Sequence, residues 1–185
     1  MSFLPSFGER ATLIDVYRRY PAMARHVLGL AEVAFTMTDA FTPGECEMMG
    51  AYVSALNNCG YCRRIHMEAA ISNGVDRSAF DDFAVADAPR YGDARWRPVF
   101  EYVRALTLAP ASVFRGHTEA LLAAGWSEDV IVQLTTITSA FNVLNRLADA
   151  FGLSANEEFF ALAGQRLAAK GYGGTAEMLG LAVAA

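Results

Sequence analysis

Between residues 127 and 151, Val130, Leu134, Ile137, Phe141, Leu144 and Ala148 recur at alternating intervals of four and three, the spacing that sets apolar side chains in a stripe along one long amphipathic helix. Such a stripe must be covered. Core packing is the simpler cover, ahead of a subunit interface, and one helix can serve both. No segment alternates apolar and polar residues for long enough to predict a strand, so the chain reads as all-α.

Helix boundaries are marked locally. Asp15 to Tyr20 closes a first helical piece, and Pro21 suits the first turn of a second running towards Phe35. Thr42, Pro43 and Glu45 have the order of a capping box with proline at the first helical position, opening a helix that reaches about Leu56. Asn57 and Asn58 interrupt it, and a further helix from about Cys59 ends at Asn73-Gly74, a left-handed cap. Residues 42–74 therefore predict a helical hairpin with Cys59 and Cys62 at its bend.

Beyond it, Asp76 caps a short helix to about Phe83, and Val85 to Arg95, containing Pro89 and Gly92, predicts a long loop. Helices are expected from Trp96 to Leu108, from Gly116 to Ala124, and onward from Ser127 as N-cap. Ser154 with Glu157 predicts another capping box, opening a helix that ends near Lys170-Gly171. Gly171-Tyr172-Gly173-Gly174 then reads as a C-terminal turn; no lysine and hydroxyl pair follows it, as a phosphate loop requires.

At 185 residues the chain suits one domain, 1–185, with a full-sized core. With 54% hydrophobic and 19% charged residues, burial should be extensive and a homo-oligomer is expected. A formal charge of −5 with no basic block argues against a nucleic-acid partner. The first residues lack a signal peptide's basic start and apolar centre, and no run reaches the ~18 apolar residues of a membrane span. The expectation is a soluble cytoplasmic protein with no membrane partner. Three cysteines are too few for a secreted disulfide framework, so a C-x-x-C pair points to redox or metal chemistry. Cys46 reads as a small buried residue.

The chemistry concentrates in Cys59-Gly60-Tyr61-Cys62-Arg63-Arg64-Ile65-His66. Two thiols at this spacing close a disulfide with little backbone movement, and the thiolate is the reactive form. Cys59, at a helix start, faces unpaired N–H groups and the positive end of the dipole, which favours its ionisation. His66, four residues after Cys62, lies one turn above it and favours Cys62 instead. Both assignments stand at this level. Glu47, twelve residues before Cys59, comes roughly level with His66 in a folded-back hairpin, about one turn of ~5.4 Å away, where a carboxylate orients an imidazole.

The plainer readings differ. A structural zinc on Cys59, Cys62 and His66 wants a fourth ligand, and His26 and His117 stand alone, which makes metal the weaker reading. Glu47 would otherwise be a solvated or capping charge, His117 a surface or packing residue, and Tyr61 and Trp126 core aromatics rather than pocket walls.

The constellation Glu47-x(11)-Cys59-x-x-Cys62-x-x-x-His66 resembles the active-site motif of the alkylhydroperoxidase D-like branch of the carboxymuconolactone decarboxylase superfamily. Leu121 to Glu128 and Phe141 to Asp149 resemble the second half of its uncharacterised peroxidase-related members. The resemblance implies the alkylhydroperoxidase D-like helical fold, obligate oligomers, no cofactor, and hydroperoxide reduction through a Cys-Cys disulfide. Residue by residue it implies Cys62 as peroxidatic thiol, Cys59 as resolving thiol, His66 as base and Glu47 as relay carboxylate. Some members place histidine immediately before the second cysteine; here Tyr61 stands there, which implies a simpler relay or a weaker peroxidase. Muconolactone-type decarboxylases of the superfamily lack the dithiol.

The expected function is thus a thiol-dependent peroxidase acting on a small hydroperoxide and restored by an external dithiol, lipoyl-type or thioredoxin-like. The alternatives are a protein disulfide reductase serving another peroxidase, and a non-enzymatic redox-sensing or zinc-stabilised oligomeric module.

Overall fold

Thr42 begins the helix around which the others are arranged. Its hydroxyl accepts from the Glu45 N–H at 3.2 Å, while the Glu45 carboxylate accepts from the Thr42 N–H at 2.8 Å, a reciprocal cap that satisfies two helix-end donors. The computed structural model describes residues 2–83 and 89–181. It contains α1 (Leu13–Arg19), α2 (Pro21–Thr36), α3 (Pro43–Leu56), α4 (Gly60–Ser72), α5 (Arg97–Leu108), α6 (Arg115–Ala123), α7 (Glu128–Ala150) and α8 (Glu157–Met178). Single 3-10 turns lie at Arg77–Phe80, Ala94–Trp96 and Pro110–Ser112. There is no strand among the described residues, and the all-α reading holds.

Every residue of α3 from Cys46 to Ser54 is buried, as befits a helix apolar on all sides. Two partners cover it. One is α4, which folds back along it; the other is α7, whose Val130, Leu134, Ile137, Phe141, Leu144 and Ala148 are all buried. The close approach of α3 and α7 depends on Gly50, because a Cβ there would lie 2.1 Å from the Phe141 ring. α5 packs on α3 and α7, α2 on α7 and α8, and α8 on α4.

Several boundaries differ from the sequence expectation. The residues after Asp76 form only the 3-10 turn Arg77–Phe80, with the Asp76 carboxylate accepting from the Ser78 N–H at 2.8 Å. Of the loop expected over Val85 to Arg95, residues 84–88 lie outside the described residues, and Ala94–Trp96 is a 3-10 turn leading into α5. α8 is capped by Asn156, whose side chain accepts from the Phe159 N–H at 3.0 Å, and not by Ser154. Ser154 and Glu157 have capping-box spacing, but Glu157 is the first helical residue, too early to serve as the third, and asparagine caps as well as serine.

Gly171 does not end the helical run. With φ 64° and ψ −170° it breaks α8, a conformation close to glycine-only, and helix resumes to Met178. The restart is held by Glu32 of α2, whose carboxylate accepts from the Gly173 N–H at 2.8 Å. An acidic group there also suits the positive end of a helix. Tyr172, just beyond the break, is thereby set into the interior.

Candidate active site

The bend between α3 and α4 builds the thiol pair. Asn58 takes φ 57°, a left-handed conformation that asparagine tolerates better than most residues, and turns the chain so that Cys59 becomes the N-cap of α4. The Cys59 N–H donates to the Ser54 carbonyl at 2.9 Å and its carbonyl accepts from the Arg63 N–H at 3.0 Å, fixing both ends of the residue. Cys62 follows in the first turn of α4. Both thiols are buried and reduced.

The two sulfurs are inequivalent. The Cys59 S–H has the Asn145 carbonyl as an acceptor at 4.0 Å, and its interaction with Cys62 pushes the Cys59 thiol far above its ordinary range and holds the Cys62 thiol below its own. Burial opposes the second shift, while His66 and the Asn145 side chain reinforce it. These shifts run against the dipole argument for Cys59 and favour negative charge on Cys62, the sulfur that also faces the imidazole.

Asn145 of α7 is buried at 1% exposure. Its Oδ1 accepts from Asn57 Nδ2 at 2.9 Å and its Nδ2 donates to Ser54 Oγ at 2.9 Å. The Ser54 hydroxyl passes its own proton to the Gly50 carbonyl at 2.8 Å. A polar network thus runs across the hairpin bend behind the thiols, each member satisfied by the next.

His66 stands one turn above Cys62, and Glu47 of α3 is closer to it than the hairpin geometry alone suggests. His66 Nδ1 lies 2.6 Å from Glu47 Oε2, with the residues 5% and 3% exposed. Burial pushes the Glu47 carboxyl above its ordinary value, and the charge and hydrogen bond of His66 pull partly back. With Nδ1 engaged, Nε2 is the nitrogen left for proton exchange. The Phe141 ring meets the imidazole edge-on at 4.5 Å and Tyr172 lies nearly parallel at 6.4 Å, so the ring has little freedom to turn.

Cys62 and His66 border an apolar cavity of about 250 Å³, walled by residues of α1, α2, α4, α7 and α8. Cys59 does not line it. Tyr61 does, while its hydroxyl accepts from the Leu13 N–H at 3.1 Å. Where some relatives place histidine, this chain has a strut joining α1 to α4, and burial raises its phenol further from any role as a base. Trp126 packs against Phe41 and Trp96, as a core aromatic should.

The structure thus gathers Glu47, Cys59, Cys62 and His66. His26 is exposed, and His117 serves its own helix, its Nδ1 accepting from the Phe114 N–H at 3.3 Å. Cys46 is enclosed in the core, where burial pushes its thiol up to about 12. Among the described residues no three His, Cys, Asp or Glu side chains are grouped to hold a metal ion, and no helix is long and apolar enough to cross a membrane. Sequence reasoning missed Asn145, Tyr17 and Tyr172. The first was signalled by a polar residue beside the apolar stripe of α7; the other two carry no local signal.

Residues 21–105, which contain all four predicted site residues, match the carboxymuconolactone decarboxylase family. An uncharacterised peroxidase-related protein from Ralstonia eutropha JMP134, described as an alkylhydroperoxidase AhpD core, superposes with a TM-score of 0.74 at 22% identity, over 89% of this chain and 96% of that one. A peroxidase-related protein from Silicibacter sp. TM1040 gives 0.71 at 23% identity, over 80% and 78%. At such identities the likeness carries the fold alone. No curated protein matches the chain significantly.

Proposed function

From the match of residues 21–105 to the carboxymuconolactone decarboxylase family and the alkylhydroperoxidase D-like fold, we propose that this chain is a member of that superfamily and a thiol-dependent peroxidase. One observation carries the reading: the cavity-facing thiol, Cys62, is held below its ordinary range beside a second thiol and stands one turn from a histidine held by a buried carboxylate.

In the first step the Cys62 thiolate attacks the terminal oxygen of a hydroperoxide, ROOH. The O–O bond breaks, the sulfur gains oxygen as a sulfenic acid, and RO⁻ leaves as the alcohol with a proton from His66 Nε2. Glu47 stabilises the imidazolium before transfer and orients the ring. In the second step Cys59 sulfur attacks the sulfenic sulfur; hydroxide leaves as water, taking the Cys59 proton, and the disulfide forms. The sum is ROOH plus two thiols giving ROH, water and one disulfide.

An external dithiol, lipoyl-type or thioredoxin-like, then reduces that disulfide. Its attack falls on Cys62, the sulfur that opens on the cavity. The same asymmetry supports the order of events, since peroxide reaches Cys62 without meeting Cys59. A thiol at the cavity wall with a second thiol beside it favours this chemistry over decarboxylation.

Trapping the intermediate tests the assignment. With Cys59→Ser, prereduced protein treated with one equivalent of hydroperoxide and a 1,3-dione should carry the adduct on Cys62. An adduct on Cys59 in the Cys62→Ser protein, with none on Cys62 in the Cys59→Ser protein, would reverse the roles.

A further inference from the structure

Two tyrosines border the cavity with unused hydroxyls. Tyr17 of α1 is 2% exposed and Tyr172 of α8 is 6% exposed, and neither hydroxyl, enclosed behind the cavity surface, has a hydrogen-bond partner among the described residues. Buried phenols ordinarily find one. Charge on Cys62 acts on both phenols, and charge on Glu47 acts on that of Tyr172, so the two are gathered around the reacting sulfur and its relay. The Gly171 break and its Glu32 anchor hold Tyr172 there.

The rest of the wall is mainly apolar, with Thr175 as a further hydroxyl and Cys62 and His66 as its reactive groups. Leu13, Ile14, Leu144 and Leu167 contribute aliphatic surface, and among the described residues no carboxylate lines the space and Arg166 is its one arginine or lysine. Arg166 has no ion-pair partner among the described residues. It is exposed, whereas Cys62 is buried, which puts the cation towards solvent and the sulfur inside. At ~30 Å³ per water-sized group, about 250 Å³ holds roughly eight such groups.

We propose that the cavity takes a medium-chain carboxylic acid bearing a hydroperoxide: carboxylate on Arg166, aliphatic chain along the apolar wall, peroxide oxygens at Cys62, reached by the hydroxyls of Tyr17 and Tyr172 on a small turn of either ring. The chemistry rests on the peroxidase reading and balances as above, the acid hydroperoxide leaving as the hydroxy acid. The binding does not depend on turnover. The tyrosines are positioning residues for the peroxide, and Arg166 sets the preference for an anion.

Two measurements separate the claims. In single-turnover mixing with 8-hydroperoxyoctanoic acid and its methyl ester, the acid should react about two- to fivefold faster, the range expected for a solvent-facing ion pair, and Arg166→Gln should bring the ratio to about one. Tyr17→Phe and Tyr172→Phe should slow both substrates and leave the ratio in place. In calorimetry on the reduced protein, unreactive octanoate should bind more tightly than octanol, and Arg166→Gln should erase the difference. An acid-to-ester ratio of one in the unmodified protein, or equal octanoate and octanol affinities, would overturn the anion site even if peroxide is consumed. Octanoate preference without any peroxide consumption would keep the site and overturn the peroxidase.

Discussion

Glu47 Oε2 and His66 Nδ1 meet at 2.6 Å in a site almost sealed from solvent, so the carboxylate and the imidazole behave as one proton-exchanging unit. The Glu47 carboxyl is raised above its ordinary 4.5 chiefly by burial. A raised carboxyl favours the protonated form in the folded state, so its contribution to stability is present at low pH and is lost as pH rises through the folded value. Glutamine mimics the neutral form. Urea unfolding between about pH 4 and 8 should therefore show wild type losing stability relative to Glu47→Gln as pH rises. A difference that moves towards wild type with rising pH would contradict the burial argument.

Cys62 owes its acidity first to its interaction with Cys59. Thiolate absorbance titrated against pH should show Cys62 ionising below an ordinary cysteine, and Cys59→Ala should move that midpoint upward. An unmoved midpoint would mean that His66 and Asn145 alone set the reactivity of Cys62.

Asn145 bridges Asn57 and Ser54 and also donates towards Cys62. Asn145→Ala removes one hydrogen bond each from Ser54 and Asn57, which keep the Gly50 carbonyl and Asn142 as partners, at about 0.5–1.5 kcal/mol per bond. It should lower the urea midpoint and raise the Cys62 ionisation midpoint together. A loss of stability with unchanged thiol ionisation would confine Asn145 to a structural role.

Gly50→Ala places a methyl group 2.1 Å from the Phe141 ring, the same ring that sits 4.5 Å from His66. Overpacking of this kind costs about 1–3 kcal/mol. The variant should melt earlier than wild type and lose thiols to peroxide more slowly, because Phe141 must move towards the imidazole. A peroxide reaction at the wild-type rate in the folded variant would detach Phe141 from the relay.

What the sequence made legible was local. The Thr42–Glu45 cap, the Ser127 cap and the Gly74 turn are decided by neighbours within a few residues, and each stands where its spacing predicts. The turn relating Cys62 to His66 follows from helical geometry alone. Ser154 misled because two adjacent cap spacings competed, and the winner was set by where α8 packs on α4. Gly171 was read as an end because Glu32, which holds the restarted helix through the Gly173 N–H, is contributed by a distant helix. The polarity of the thiol pair likewise depends on which sulfur faces His66 and Asn145, and Tyr17 and Tyr172 enter the site only when α1 and α8 close over α4. None of these long-range pairings leaves a periodic signal.

The most direct test of the central claim is stoichiometric: prereduced wild type, Cys59→Ser, Cys62→Ser and His66→Ala mixed with one equivalent of organic hydroperoxide, with remaining thiols counted over time. Wild type should lose two thiols per chain rapidly, Cys59→Ser one, and Cys62→Ser none at a comparable rate, with His66→Ala slowed about 10²–10⁴-fold, the range of a removed acid–base group. Rapid thiol loss in Cys62→Ser, or none in wild type, would contradict the assignment of Cys62 as the attacking sulfur.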